Sequence, residues 1–267
     1  LNCLNSIDQN VNVLIVENSK KFKDREFFLS KFSNINIYCT GKNLGYGGGN
    51  NYGVRKTKTD FVLILNPDTV VQEDTLEVCI DYLKTHPEVG GLGIKGIDGT
   101  GQFLPESKRG LPTPMTALWK ITGLSRIFTK SSFFARYHMG HLDPDGNHQV
   151  DILVGCFMMV PTALLREVGG FDPRYFMYGE DIDLSYELLK TGHENHYISD
   201  SQIIHHGNQA GRRGNRGRMA SLKFHAEHLP DAGLTPGDMR HQLARPSNSR
   251  LDALRTPPAD HRRHTYP

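Results

Sequence analysis

The chain is organised around the stretch Phe176-Met177-Tyr178-Gly179-Glu180-Asp181-Ile182-Asp183-Leu184, in which two adjacent carboxylates follow a glycine. Apolar residues recur at helical spacing from position 182 to position 189, and Lys190-Thr191-Gly192 is typical of a helix end. The pattern predicts a helix that begins at this glycine. Its first-turn carboxylates have two interpretations: they interact favourably with the helix dipole, or one of them is a general base held beside a pocket.

Short apolar runs alternate with helical patterns along most of the chain. Strands are predicted at residues 11–16, 35–39, 61–65, 89–94 and 151–160, with brief strands at 197–198 and 203–206. Helices are predicted at residues 21–32, 75–85, 115–128 and 162–168, and residues 1–10 resemble the end of a helix. Strands that alternate with helices predict an α/β fold with a mostly parallel, mixed sheet flanked by helices.

Composition excludes several classes of protein. The net charge is only +2, so overall charge gives no reason to expect a nucleic-acid partner. The four cysteines form no CxxC pair, which favours free thiols in a reducing compartment. No apolar run approaches the roughly 18 residues of a membrane span, and no signal peptide is recognisable. We therefore expect a cytoplasmic protein, with peripheral contact at the inner face of the cell membrane left open.

The composition changes after Gly207. Residues 1–206 hold 13 Lys and 7 Arg, whereas residues 207–267 hold 1 Lys and 10 Arg and have neither Val nor Ile. Such a segment buries little apolar surface. We therefore predict a folded domain at residues 1–206 and an Arg-, Pro- and His-rich tail at 207–267 that is disordered or, as after a frameshift or fusion, foreign to the domain.

A glycine-rich turn at residues 41–53 follows the second predicted strand and enters a short helix. A dinucleotide fingerprint would need glycine where Asn50 stands, and no P-loop Lys-Ser or Lys-Thr pair follows. Glycine still allows backbone N–H groups to approach a ligand closely. The sequence is compatible with both a ligand-binding loop and a plain flexible loop.

Asn66-Pro67-Asp68 ends an apolar strand, where open α/β sheets place their ligands. The carboxylate of Asp68 could hold a divalent cation that bridges a diphosphate, or Pro67-Asp68 could be a turn that caps the helix that follows. His205 and His206 end a later strand, and one of them could complete a metal shell. A histidine pair is also common as a packing or surface feature.

Together these motifs resemble those of inverting family 2 glycosyltransferases of the GT-A fold, and in particular bacterial rhamnosyltransferases that build cell-surface polysaccharide. The resemblance covers about residues 1–207. Its matching segments are residues 16–19, 42–51, 65–68, 107–114, 154–160, 169–172, 176–181 and 204–207.

The resemblance implies a role for each matching residue. Asp181 would be the general base that deprotonates an acceptor hydroxyl, and Glu180 would orient the acceptor or share that work. Asp68 and His205 would bind Mg²⁺ or Mn²⁺, with neutral Asn66 at the other acidic position of the family's Asp-x-Asp element. The residues implied in donor binding are Glu17, Asn43, Gly47, Asn51, Asp68 and Arg109, of which Arg109 would neutralise the leaving diphosphate.

The resemblance also implies the substrates. The donor would be a nucleotide-sugar, dTDP-rhamnose, and the acceptor a lipid-linked or growing cell-surface glycan; a UDP-hexose or UDP-hexosamine is the alternative donor. The family's opening strand would precede Leu1, so the predicted sheet lacks its first strand and its neighbours would be exposed. An inactive, truncated remnant of such an enzyme is therefore a further alternative.

Overall fold

A computed structural model describes residues 1–206 and 220–225 of the chain. Within these residues nine strands form one mixed sheet, in the order β2-β1-β9-β3-β7-β5-β8-β4, and β6 pairs with β8. The strands are β1 (Asn12–Glu17), β2 (Ile35–Cys39), β3 (Phe61–Leu65), β4 (Thr69–Val71), β5 (Val89–Ile97), β6 (His148–Val150), β7 (Phe157–Pro161), β8 (Glu194–His205) and β9 (Ala220–His225).

Helices cover both faces of this sheet. They are α1 (Asn2–Asn5), α2 (Arg25–Lys31), α3 (Gly45–Val54), α4 (Thr75–Thr85), α5 (Pro114–Ile121), α6 (Leu124–Ile127), α7 (Thr162–Glu167) and α8 (Glu180–Lys190). In β3, Leu63 and Leu65 join one apolar cluster while Val62 and Ile64 join the other. Because successive strand residues point to opposite faces, this alternation shows that the sheet is buried on both sides.

The predicted α/β class is confirmed, and the sheet is mixed. Among the described strands, β1 pairs with β2 and β5 pairs with β8 in the parallel sense, while β7 and β9 run antiparallel to their neighbours. The brief strands predicted at 197–198 and 203–206 are parts of one strand, β8. Between them Ser199-Asp200-Ser201 falls in a register shift against β5, which explains the interrupted apolar pattern.

The position between β1 and β3 is held by β9, which pairs antiparallel with both. The expectation that these two neighbours would be exposed is therefore wrong. Ala220–His225, which lie within the predicted disordered or foreign tail, form this strand; the division of the chain into a domain and a tail stays a prediction. The rest of the predicted tail, residues 207–219 and 226–267, lies outside the described residues.

Two expectations about composition can be compared with the structure. All four cysteines are free thiols, and three of them are buried. In the part of the chain that the structure describes, no helix has both the length and the apolar content needed to cross a membrane.

Candidate functional site

The backbone turns sharply before α8. Tyr178 has φ +69° and Gly179 has φ +92°, so two consecutive residues adopt the left-handed conformation. Only the second is a glycine, and a bulky residue in this region is strained. The turn places Glu180 and Asp181 in the first helical turn, as the sequence predicts.

The carboxylate of Asp181 is held by several donors. Its Oδ2 accepts a hydrogen bond from Arg109 Nη2 at 2.6 Å and one from the backbone N–H of Gly155 at 3.3 Å. Its Oδ1 accepts from the N–H of Ile182 at 2.9 Å. A carboxylate held in this way has one orientation, which is what a general base needs.

Arg109 and Asp181 form a partly desolvated ion pair, with side chains 11% and 16% exposed. Burial alone would lower the pKa of Arg109, but the Asp181 carboxylate outweighs it and the pKa is raised. Arg109 Nη2 also donates to the carbonyl of Leu153 at 2.8 Å. The resemblance implies that this guanidinium neutralises the leaving diphosphate, which stays a prediction, and the structure pairs it with the predicted base.

Glu180 is a buried carboxylate beside this pair. Burial, followed by the negative charge of Asp181, raises the pKa of Glu180 above its usual range. Its Oε2 is shielded from water and has no hydrogen-bond partner among the described residues. An unpartnered buried acceptor of this kind can bind a hydroxyl group of a ligand.

Asp68 and His205 are brought together by sheet pairing. β4 runs antiparallel to β8 and places Thr69 opposite His205, so that His205 Nε2 lies 3.5 Å from Asp68 Oδ1. The interaction with Asp68, and then that with Cys156, raises the pKa of His205 to about 10. Burial alone would raise the pKa of Asp68, but His205 outweighs it and the pKa is lowered. Both shifts indicate an ion pair.

This pair fits part of a divalent cation site. No cluster of three or more His, Cys, Asp or Glu side chains suited to a metal occurs in residues 1–206 and 220–225. Asp68 Oδ1 is nevertheless shielded from water and lacks a well-formed hydrogen bond. Mg²⁺ is commonly held by one or two carboxylates together with water and substrate phosphates. One carboxylate, and one imidazole once His205 has lost the proton of the ion pair, are therefore compatible with a cation whose remaining ligands come from water and a diphosphate.

Two consecutive residues join the two parts of the site. The N–H of Gly155 donates to Asp181, and the carbonyl of Cys156 accepts the N–H of Asn66 at 3.0 Å. Cys156 also contributes to the raised pKa of His205. Residues 155–156, immediately before β7, thus connect the predicted base with the predicted cation pair.

Glu17 and Asn43 lie near the ends of strands β1 and β2. Glu17 is the last residue of β1 and is buried. Asn43 Oδ1 accepts from Asn18 Nδ2 and from the N–H of Gly45, both at 3.0 Å. Asn18 also donates to the carbonyl of Gly45 at 2.7 Å, so these two asparagines fix the entry to α3. Asn18 was missed by sequence reasoning, although it follows Glu17 directly.

Gly47 and Asn51 contact the segment before α8 instead of open space. Asn51 Nδ2 donates to the carbonyl of Phe171 at 2.7 Å, and Asn51 Oδ1 accepts the N–H of Phe171 at 2.9 Å. A Cβ on Gly47 would lie 2.8 Å from Phe171 Cβ. These contacts give both residues a packing role, and donor binding by them stays a prediction.

Ser185 and Asn195 hold Asp181 in place through a chain of hydrogen bonds. Sequence reasoning also missed these two residues. Ser185 Oγ donates to the carbonyl of Asp181 at 2.7 Å and accepts the N–H of Leu153 at 3.1 Å. Asn195 Nδ2 donates to the carbonyl of Ser185 at 2.9 Å. Both are fully buried. A serine between Leu184 and Leu188 on the apolar side of the helix was the available signal.

Comparison with known families and sequences gives three findings. A family model described as "Glycosyltransferase like family 2" matches residues 8–210. Over 207 residues the chain is 28% identical to the N-acetylglucosaminyl-diphospho-decaprenol L-rhamnosyltransferase of Mycobacterium tuberculosis, covering 73% of this chain but only 66% of that relative. It is 25% identical over 218 residues to the rhamnosyltransferase WbbL of Escherichia coli strain K12, covering 78% of each.

Among solved structures, the chain is similar to GalNAc-T7, crystallised with UDP, GalNAc and Mn²⁺. The TM-score is 0.51 at 13% identity, over 72% of this chain and 37% of that chain. Identity this low supports a shared fold and nothing finer.

Proposed function

We propose that this chain, which belongs to glycosyltransferase-like family 2, is an inverting glycosyltransferase. It would move a sugar from a nucleotide diphosphate to a hydroxyl group of a lipid-linked or growing glycan. The observation that carries the proposal is the arrangement of Asp181, which is held by Arg109 and joined through Gly155 and Cys156 to Asp68 and His205.

The proposed donor is dTDP-rhamnose, and a UDP-hexose or UDP-hexosamine is the alternative. Two relatives support rhamnose by name, and the mycobacterial one also names a decaprenol-linked diphosphate acceptor. An acceptor of this kind is carried on a membrane, so we also propose peripheral contact with the inner membrane face. The product would serve cell-surface polysaccharide synthesis.

In the proposed reaction Asp181 accepts the proton of the acceptor hydroxyl. The oxygen then attacks the anomeric carbon, the bond to the diphosphate oxygen breaks, and the nucleoside diphosphate leaves with the bonding electrons. A base of this kind contributes about 10²- to 10⁴-fold in rate. Attack on the face opposite the leaving group inverts the anomeric centre.

The neighbouring residues position this base and bind the substrates. Arg109 orients Asp181 and balances its charge, while Glu180 accepts a hydrogen bond from the acceptor. Asp68 and His205 would hold Mg²⁺ or Mn²⁺, which when bound supplies positive charge to the diphosphate. Glu17 and Asn43 are the proposed contacts to the nucleoside side of the donor.

The direct test is transfer by Asp181→Asn. We expect a rate at least about 100-fold below wild type, with donor affinity nearly unchanged. The matched control is Asp81→Asn on α4, whose carboxylate is exposed on another helix and should leave transfer unchanged. Unchanged turnover in Asp181→Asn would rule out the general-base assignment.

Calorimetric titration with dTDP-rhamnose, UDP-glucose and UDP-N-acetylglucosamine identifies the donor. We expect the tightest binding for dTDP-rhamnose, and tighter binding with Mn²⁺ than without it. Preference for a UDP-sugar would select the alternative donor. Binding of none of them by a sample that unfolds cooperatively would favour an inactive remnant.

A further inference from the structure

The segment at residues 107–142 contains no Asp or Glu and six Lys or Arg residues. Its cations are Lys108, Arg109, Lys120, Arg126, Lys130 and Arg136. Over the whole chain the two signs nearly balance, at 31 basic and 29 acidic residues. The segment is therefore a local positive region in a nearly neutral protein.

Helix α5 within this segment turns its apolar side outward. Met115, Leu118 and Ile121 follow one another at three-residue spacing and are 48%, 45% and 83% exposed. Thr116, a polar residue, is the buried member of this helix. A surface helix of a globular domain normally has the reverse arrangement, with its apolar stripe toward the core.

The apolar exposure continues beyond α5. Ile127 is 71% exposed, Phe128 is 48% and Phe133 is 57%. Trp119 lies 5.3 Å from Phe133 and 5.0 Å from Phe134, ring centre to ring centre, so an aromatic cluster ties α5 to the segment after α6. We call the surface formed by Met115, Leu118, Ile121, Ile127, Phe128 and Phe133, together with Lys120, Arg126, Lys130 and Arg136, the basic apolar face.

A cavity of about 680 Å³ is lined by three cations of this face, Lys120, Arg126 and Lys130, and by none of its apolar members. His138 and Glu106 add a titratable imidazole and a carboxylate to the lining, and Phe134 adds an aromatic ring. Lys108 also lines it, but its Nζ donates to the carbonyls of Met139 and Leu142. The next residue, Arg109, contacts Asp181, so a partner of the proposed base follows a cavity-lining residue directly in the chain.

We propose that the basic apolar face docks on an anionic lipid bilayer. Exposed Ile, Leu, Met and Phe side chains would enter the boundary between headgroups and acyl chains, and Lys and Arg would bind the anionic headgroups. The charge of this face favours an anionic bilayer over a second copy of the chain as its binding partner. Two such faces in symmetric contact would bring like charges together without a carboxylate from residues 107–142 to pair them.

The inference deepens the proposed function: it rests on the proposed lipid-linked acceptor and membrane contact, and it adds the surface through which that contact is made. Docking through this face would present the membrane side of the cavity to a lipid diphosphate. Arg109 belongs to the same segment and contacts Asp181, so the segment that forms the docked face also contributes a partner of the proposed base.

Vesicle flotation of the full chain tests the proposal. We expect binding to phosphatidylcholine vesicles that contain phosphatidylglycerol, and much weaker binding to phosphatidylcholine alone. A variant with Lys120→Gln, Arg126→Gln and Lys130→Gln should partition about 100-fold less, since each basic residue near an anionic surface contributes about fivefold. A variant with Ile121→Ser and Ile127→Ser should also lose binding.

Helix α2 and the residues before it supply matched controls. Phe27 and Leu29 are 52% and 43% exposed, and Lys20, Lys21 and Lys23 are exposed near them. Phe27→Ser with Leu29→Ser, and the three Lys→Gln changes, should leave vesicle binding unchanged. An equal loss of binding in the controls would overturn the proposal, as would absence of binding by wild-type protein that unfolds cooperatively. A change from dimer to monomer in Ile121→Ser with Ile127→Ser, without vesicle binding by wild type, would assign the face to a second copy.

Transfer to a water-soluble acceptor separates this inference from the proposed function. We expect the Ile121→Ser, Ile127→Ser variant to retain that activity while losing transfer to an acceptor embedded in vesicles. Vesicle binding without any transfer would leave the docking face in place and contradict the transferase proposal. Equal loss of both activities would contradict the docking role.

Discussion

The contact between Arg109 and Asp181 is the single interaction on which the proposed chemistry most depends. Arg109→Met should lower the free energy of unfolding by about 3 kcal/mol, because it leaves a largely buried carboxylate without its cation. The double variant Arg109→Met, Asp181→Asn should lose less than the two single losses combined, with a coupling of about 1–3 kcal/mol. Urea unfolding measures the free energy of unfolding of the two single variants and of the double variant.

A control for this cycle is Lys190→Met. Lys190 pairs with Glu187 at 3.2 Å within α8, and its side chain is 53% exposed, so we expect a loss below about 1 kcal/mol. Strictly additive losses at positions 109 and 181 would mean that the two side chains do not interact in solution.

Glu180 gives a prediction about how the stability of the protein depends on pH. Burial raises its pKa, so the charged carboxylate destabilises the folded protein. This destabilisation is absent at low pH, because the carboxyl group is then protonated in both the folded and the unfolded protein. The destabilisation develops as the pH rises from the usual Glu pKa through the raised one. Glu180→Gln should therefore stabilise the protein more at pH 8 than at pH 4, relative to wild type in urea unfolding. An equal effect at both pH values would contradict the raised pKa.

Asp68 and His205 give a prediction about metal. Asp68→Asn and His205→Ala should each weaken donor binding in the presence of Mn²⁺, and have little effect once a chelator has removed the metal. The reason is that these side chains would supply two of the ligands while the diphosphate supplies others. Calorimetric titration with and without EDTA measures this difference. Donor affinity that never depends on metal would exclude the cation role.

At the scale of single elements, α3 tests whether its glycines serve packing. Gly47→Ala should destabilise the protein by about 1–3 kcal/mol, because the new Cβ would lie 2.8 Å from Phe171 Cβ. Gly49→Ala is the matched control in the same helix. Its Cβ would lie 3.4 Å from the Asn18 side chain, so the higher helix propensity of alanine should leave stability unchanged or raise it by up to about 1 kcal/mol.

The outcome distinguishes packing from ligand binding at Gly47. Thermal unfolding gives the stability of both variants, and calorimetry gives their donor affinity. A stable Gly47→Ala protein that no longer binds donor would favour the ligand-binding interpretation of the glycine-rich segment.

Element type was predictable where the local pattern agrees with the fold. The apolar runs at β2 and β3 and the periodic helix α4 have the predicted bounds. The predictions were weaker where contacts with residues far away in the chain determine the local structure. The pattern of β8 is interrupted at Ser199-Asp200-Ser201 by a register shift against β5, and Gly47 of α3 packs against Phe171, more than a hundred residues away in the chain. A single sequence contains no signal for such contacts.

The residues of the candidate site divide in the same way, into local features that the sequence predicts and contacts between separate elements that it does not. Glu180 and Asp181 were predictable because an N-terminal helical turn is a local feature, and the pairing of Asp68 with His205 followed from a family resemblance. The pairing of Arg109 with Asp181 was not foreseen, because it depends on how the segment after β5 returns to α8. Ser185 and Asn195 were missed for the same reason, since their hydrogen bonds connect separate elements.

For the whole molecule, the unexpected feature is that a central strand comes from the end of the sequence with the most polar composition. β9 pairs with β1 through Leu222 opposite Ile15, and with β3 through Leu222 opposite Leu65. It therefore connects the two halves of the sheet. Without it, the backbone edges of β1 and β3 would lack these partners, and unpaired strand edges promote association with other chains.

Two truncations test this role for β9. A chain that stops after residue 226 keeps the strand, and we expect it to unfold cooperatively at the temperature of the full chain. A chain that stops after residue 206 loses it, and should unfold at a lower temperature and aggregate. Leu222→Pro in the full chain should resemble the shorter truncation, because proline removes a backbone donor and is poorly tolerated in a central strand. Equal unfolding temperatures for the two truncations would mean that β9 does not hold the halves of the sheet together, and the stability of the site would then have to come from residues 1–206 alone.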